Sequence, residues 1–139
     1  MKKQIACVNF LCLAAVSVAF ASKNPPPMPG TLRNARYVYV TSYDGDQFSS
    51  KILPEDRAAI GRVQEAIQKW GKLVVVNQQK EADIVIVVES RPSEDVLAVY
   101  DANSFPQTYL WRVTGRGGLQ KGEMPLLLQF EQAFEKIAH

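Results

Sequence analysis

Apolar positions recur along this chain in two rhythms, and the change from one to the other marks out its elements. From Arg36 to Tyr43 the run Arg-Tyr-Val-Tyr-Val-Thr-Ser-Tyr is rich in β-branched and aromatic residues, which predicts a strand. A strand alternates its side chains, so Val38 and Val40 fall on one face and Tyr37, Tyr39 and Thr41 on the other. After a polar loop from Asp44 to Lys51, the period changes to that of a helix over Pro54 to Trp70, with Ile60, Val63, Ile67 and Trp70 on one stripe. Pro54 suits the first turn, Glu55 and Asp56 favour the positive end of the helix dipole, and Gly71 stops the helix. Leu73 to Val76 and Ile84 to Val88 are apolar at successive positions, the signature of strands buried on both faces. Val96 to Tyr100 and Gln107 to Thr114 read as two further strands; in the second, Tyr109, Trp111 and Val113 alternate with Thr108, Leu110 and Arg112. Pro125 then opens a closing helix with the stripe Leu127, Phe130, Phe134 and Ile137. The order β-α-β-β-β-β-α predicts an α+β fold, a mixed sheet of about five strands with both helices on one face.

Ahead of Arg36 the pattern is of a different kind. Residues 1–21 carry Lys2 and Lys3, an apolar run from Ile5 to Phe20, and Ala19-Phe20-Ala21 at the end. These are the three regions of a cleavable signal peptide, with cleavage expected between Ala21 and Ser22. The run is shorter than the ~20 apolar residues a spanning helix needs, and Asn9 interrupts it, so no stable membrane span is expected after cleavage. Both cysteines, Cys7 and Cys12, lie inside this leader, neither placed as a lipoprotein signal would place it. The mature chain is therefore expected to lack thiols and disulfides. Residues 22–35 hold the run Pro25-Pro26-Pro27, which favours extended polyproline geometry, and read as a linker. Residues 36–139 are the single folded domain, and the expected location is periplasmic or secreted.

Charge narrows the functional classes. Of 16 Lys and Arg, two belong to the leader, and the remainder balances the 14 Asp and Glu. Arg33, Arg36, Lys69, Lys72, Arg112 and Arg116 are scattered in sequence, with no basic field of the sort nucleic acid requires. Zinc needs Cys or His ligands, and the mature chain offers only His139, at its end. A Ser-His-Asp arrangement would depend on that same terminal residue. Asp44, Asp46 and Glu55 fall at positions one, three and twelve of a calcium loop, but Phe48 and Ser49 occupy positions five and six, where an oxygen ligand and Gly belong. An Asp-Gly turn is the simpler reading. Gly115-Arg116-Gly117-Gly118 lacks the Gly-Lys-Ser/Thr ending of a phosphate loop and reads as a connector. No catalytic residue, cofactor or metal is expected. Glu94, Asp95 and Asp101, at strand ends, are the one carboxylate set on which a small hydrolase or carbohydrate-binding site would rest.

Taken together, the tyrosine-valine first strand, Lys69-Trp70-Gly71-Lys72, Leu73-Val74-Val75-Val76, Ala82-Asp83-Ile84-Val85-Ile86-Val87-Val88, Leu97-Ala98-Val99-Tyr100-Asp101 and Leu110-Trp111-Arg112 form one pattern. Over roughly residues 36–138 it resembles small secreted acidobacterial-type proteins of unassigned function. More distantly it is similar to the α/β amino-terminal domain of the Tol-system propeller protein and to the curli secretion-pore lipoprotein. The resemblance implies a non-enzymatic interaction or assembly module of the bacterial cell envelope, and brings no catalytic residues. Two helices cover one face of a sheet, so the other face should carry an apolar, tyrosine-rich patch with Tyr37 and Tyr39 as the candidate partner surface. Its occupant is expected to be an envelope protein, a second copy of the chain, or the proline-rich segment folded back.

Overall fold

The computed structural model describes residues 25–120, 122 and 124–138; the expected leader, with both cysteines, and His139 lie outside these. The elements follow the expected order: β1 (Tyr37–Thr41), α1 (Pro54–Trp70), β2 (Val74–Val76), β3 (Ile84–Ser90), β4 (Asp95–Asp101), β5 (Tyr109–Gly115) and α2 (Pro125–Ile137). They build an α+β fold around one five-stranded mixed sheet, ordered β2-β1-β3-β4-β5. β1 runs parallel to both β2 and β3, while β3, β4 and β5 form an antiparallel meander.

Both helices lie on one face, as their stripes require. Ala59, Ile60, Val63 and Ile67 of α1 and Leu126, Leu127, Phe130, Ala133 and Phe134 of α2 are buried in one core with Val38, Val40, Ile84, Ile86, Val88, Leu97, Val99, Trp111 and Val113 of the sheet. Pro54 occupies the first turn of α1, and Gly71 ends it with φ of 80°, its amide donating to the Ile67 carbonyl. That left-handed conformation is the one glycine adopts without a Cβ penalty.

Two local expectations are corrected. Leu73 to Val76 is not buried on both faces: β2 is a three-residue edge strand, with Leu73 buried and Val74 exposed. β3, in the middle of the sheet, matches the same expectation, and Ile84 to Val88 are all fully buried. An apolar run does not say where in the strand order its strand will sit, and a short strand is one way a fold limits an open edge. The proline-rich segment, expected to act as a spacer, instead packs on the domain from Pro25 onward. Met28 and Leu32 are buried in the helix-side core, and the Trp111 indole N–H donates to the Pro26 carbonyl at 2.7 Å. Polyproline backbone presents unpaired carbonyls, and a buried indole needs an acceptor, so each satisfies the other. From Pro25 onward the segment therefore lies on the helix side, and its described residues do not fold back over the opposite face.

Candidate functional site

Strand register assembles the aromatic residues of the second face. Cα pairing sets Val76, Tyr39, Val85, Tyr100 and Tyr109 in one row across all five strands. Tyr109 joins this row through an irregularity in β5. Val99 pairs with Trp111 but Tyr100 pairs with Tyr109, which leaves Leu110 without an opposite residue. One extra residue reverses the alternation beyond it. Trp111 stays in the helix-side core, while the Tyr109 ring meets the edge of Tyr100 at 6.5 Å. Strict alternation had put Tyr109 and Trp111 on the same side.

The aliphatic centre of this face is not left open. Val85, Val87 and Ala98 are completely buried, roofed by the chain's own Tyr39, Tyr100 and Phe105. Phe105, from the β4–β5 loop, packs edge-on against Tyr100 at 5.0 Å. Tyr100 donates its hydroxyl to that of Tyr43 at 3.3 Å, and Tyr39 donates to Asp46 Oδ2 at 2.9 Å. Asp46 also accepts the Phe48 amide through Oδ1, so both its oxygens are committed to the chain. The loop that counted like a calcium site is thus a turn clamped by Tyr39, with Glu55 out in solvent. Among the described residues no group of three or more His, Cys, Asp or Glu is placed to hold a metal ion.

What reaches solvent around this layer is Tyr37 at 44% exposure, Tyr43 at 46% and Tyr109 at 50%; Phe48, in the β1–α1 loop, is exposed by 73%. Of the two expected surface tyrosines, Tyr37 is open, while Tyr39 is half-buried and clamps the turn. Burial, followed by the hydrogen bond to Asp46, pushes the Tyr39 phenol up to about 12; burial and then Tyr43 push Tyr100 up to about 12. The ordinary value is 10.0, so the folded state holds these protons more tightly than the unfolded chain. Their contribution is fully present below pH 10 and is lost as pH rises toward 12. The expected result is a melting temperature that falls over this window, with a shallower fall in Tyr39→Phe and Tyr100→Phe; an equal slope in all three proteins would contradict it.

The carboxylates are distributed in a way the sequence could not show. Asp56, expected merely to favour the dipole of α1, is completely buried. Its Oδ1 accepts the Ser90 amide and the Arg91 guanidinium, both at 2.8 Å, and its Oδ2 has no partner. Asp56, then burial and the more distant Glu89 and Asp44, set the Arg91 guanidinium, with a net rise above its ordinary range. Asp95, also completely buried, accepts the amides of Arg91 and Leu119 and so ties the β3–β4 turn to the glycine-rich loop. Asp101 is at the other end of β4, about 20 Å away at ~3.4 Å per residue. Glycosidase carboxylates stand roughly 10 Å apart or less, so Asp95 and Asp101 do not make such a pair. Asp101 instead shares an open cleft of about 440 Å³ with Asp83, whose Oδ2 already accepts the amides of Arg36 and Tyr37.

No family model and no curated protein matches the chain. Among solved structures it is similar to a point-substituted PelC dodecamer from Paraburkholderia phytofirmans. The two share 11% identity over 84% of this chain and 93% of that chain, with a TM-score of 0.41. A likeness at this level carries no inference about site or function. Among the described residues no helix is long and apolar enough to cross a membrane.

Proposed function

We propose that this chain is an exported, non-enzymatic interaction module of the bacterial cell envelope, and that the aromatic sheet face is where it meets an envelope protein or a second copy of itself. One observation carries the reading: Tyr37, Tyr43 and Tyr109 stand open outside a layer of aromatics that already seals the core. None of these side chains belongs to the core itself, and Tyr43 and Tyr109 touch the sealing layer through Tyr100. Tyrosine offers a large contact area, few torsions to freeze and a hydroxyl to pair, and it is enriched among residues that dominate binding energy. The leader at residues 1–21 supports export, and cleavage after Ala21 would release a chain whose packed part begins at Pro25.

Sedimentation of the exported protein tests the first half, beside a Tyr43→Ser/Tyr109→Ser variant. Both residues are half exposed, so the variant should fold, with a small loss of stability where Tyr100 loses a hydroxyl partner and an edge contact, which its melting temperature measures. The expected result is that the wild type self-associates or co-sediments with an envelope component and the variant does not. Identical behaviour of the two proteins would contradict the reading. N-terminal sequencing tests export, with Ser22 as the expected first residue.

The cleft shared by Asp83 and Asp101 favours a second reading, a small carboxylate-dependent hydrolase or carbohydrate-binding protein. Asp83 Oδ2 is already committed there to two backbone amides. Under this reading Asp101→Asn would abolish glycan binding or turnover.

A further inference from the structure

Three cations that are scattered in the sequence converge in the fold. Arg33 closes the short 3-10 turn Gly30–Leu32, its amide donating to the Gly30 carbonyl. Arg36 immediately precedes β1; its amide donates to Asp83 and its carbonyl accepts the Val74 amide at 2.8 Å. Lys72 lies in the turn between α1 and β2. The backbone at Arg33 and Arg36 is thus fixed by bonds that do not involve their side chains. With Asn34, Ala35, Phe134 and Ala138 these residues line an open cleft of about 480 Å³, and among the described residues no acidic side chain lines it. The ion pairs formed among the described residues use Lys69 and Arg91 and leave all three cleft cations unpaired.

Like charges converging on one concavity repel each other in the free protein, and the cleft walls focus their field on whatever enters. An anion relieves that repulsion. Asp83, which accepts the Arg36 amide, and Asp101 line the neighbouring cleft that shares Asn34 and Ala35 with this one, so carboxylates face that side and cations this one. Two guanidinium forks and an ammonium suit a tetrahedral oxyanion, and Asn34 adds a neutral donor. The cleft is of the size that holds small organic ligands, far more than a bare ion needs, and Phe134, Ala35 and Ala138 give it an apolar lining. We propose that this cleft binds a phosphate group carried on an organic body, held by Arg33, Arg36 and Lys72 with the body over Phe134. The site stands independently of the aromatic face.

A soluble phosphate ester and a phospholipid headgroup present the same chemistry, and two probes distinguish them. The full chain, expressed with its leader, is titrated with glycerol 3-phosphate at low salt. It is also floated with phosphatidylcholine vesicles with and without phosphatidylglycerol. The comparison is between Arg33→Gln/Arg36→Gln/Lys72→Gln and a control of equal charge change at exposed positions elsewhere, Lys51→Gln/Lys80→Gln/Arg116→Gln. Removing each cleft charge should weaken binding about fivefold, and removing all three on the order of 100-fold, with the control close to wild type. Loss confined to glycerol 3-phosphate supports a soluble ester, and loss confined to phosphatidylglycerol vesicles supports a lipid headgroup. Equal binding by the two triple variants, or binding of neither probe by wild type, overturns the proposal. Should the cleft triple melt below wild type, Arg33→Gln and Lys72→Gln singly carry the same comparison.

Discussion

Phe130→Ala is expected to cost about 3–5 kcal/mol, enough to consume much of the stability of a domain this size. Phe130 is completely buried at the centre of the helix-side core. Its ring meets Trp70 and Trp111 edge-on, each at 6.0 Å, and lies beside Phe134 at 5.9 Å. Truncation removes these contacts and leaves a cavity that three other rings would have to collapse together to fill. Trp70 provides the comparison. It continues the α1 stripe, and the sequence ranks it with Phe134, but it is only half-buried and its indole N–H is satisfied by Glu135 at 2.8 Å. Trp70→Ala should therefore cost clearly less than Phe130→Ala. Denaturant midpoints of the two variants check the order, and a reversed order would mean that the centre of the core is misplaced.

Asp56→Ala is expected to be the next most damaging, by about 1–3 kcal/mol, because it leaves a buried backbone donor without its acceptor. The substitution strands the Ser90 amide and removes the closest anion from Arg91. Asp56→Asn can keep one oxygen for the Ser90 amide while losing the charge, so it should fall between wild type and Asp56→Ala. A double-mutant cycle with Arg91→Met isolates the Asp56 contact from those that Arg91 makes with Glu89 at 3.6 Å and Asp44 at 4.0 Å. A cost below ~1 kcal/mol for Asp56→Ala would mean that the buried pair is not formed.

Much of this fold is legible in the sequence, because the information is local. The helix stripes of α1 and α2 and the run Ile84 to Val88 declare their periods within one element. The departures arise where a distant part of the chain decides. Strand order puts β2 at an edge, and nothing within Val74 to Val76 records that. An extra residue at Leu110 turns Tyr109 to the opposite face, and no turn residue marks it. Met28 is buried because the Trp111 indole, 85 residues from Pro26, fixes the proline-rich segment. The candidate site divides in the same way. Alternation in β1 reveals a tyrosine face, but not that Tyr39 would be spent on Asp46. Arg33, Arg36 and Lys72 look scattered until the 3-10 turn and the α1–β2 turn bring them to one cleft. Asp56 offers no signal beyond its place in the first turn of α1, where a solvent-facing acid is the ordinary occupant.

The central claim is that the aromatic face, rather than the helices, is the working surface. A photo-crosslinking residue placed singly at Tyr43 or Tyr109, and at the exposed Gln132 of α2 as the control, tests this in the native envelope. All three positions are exposed and outside the core, and an aromatic crosslinking residue keeps a ring beside Tyr100 at Tyr43 and Tyr109. The expected result is a discrete adduct of defined mass from Tyr43 and Tyr109 and none from Gln132. Adducts from Gln132 alone, or none from any of the three, would contradict the account.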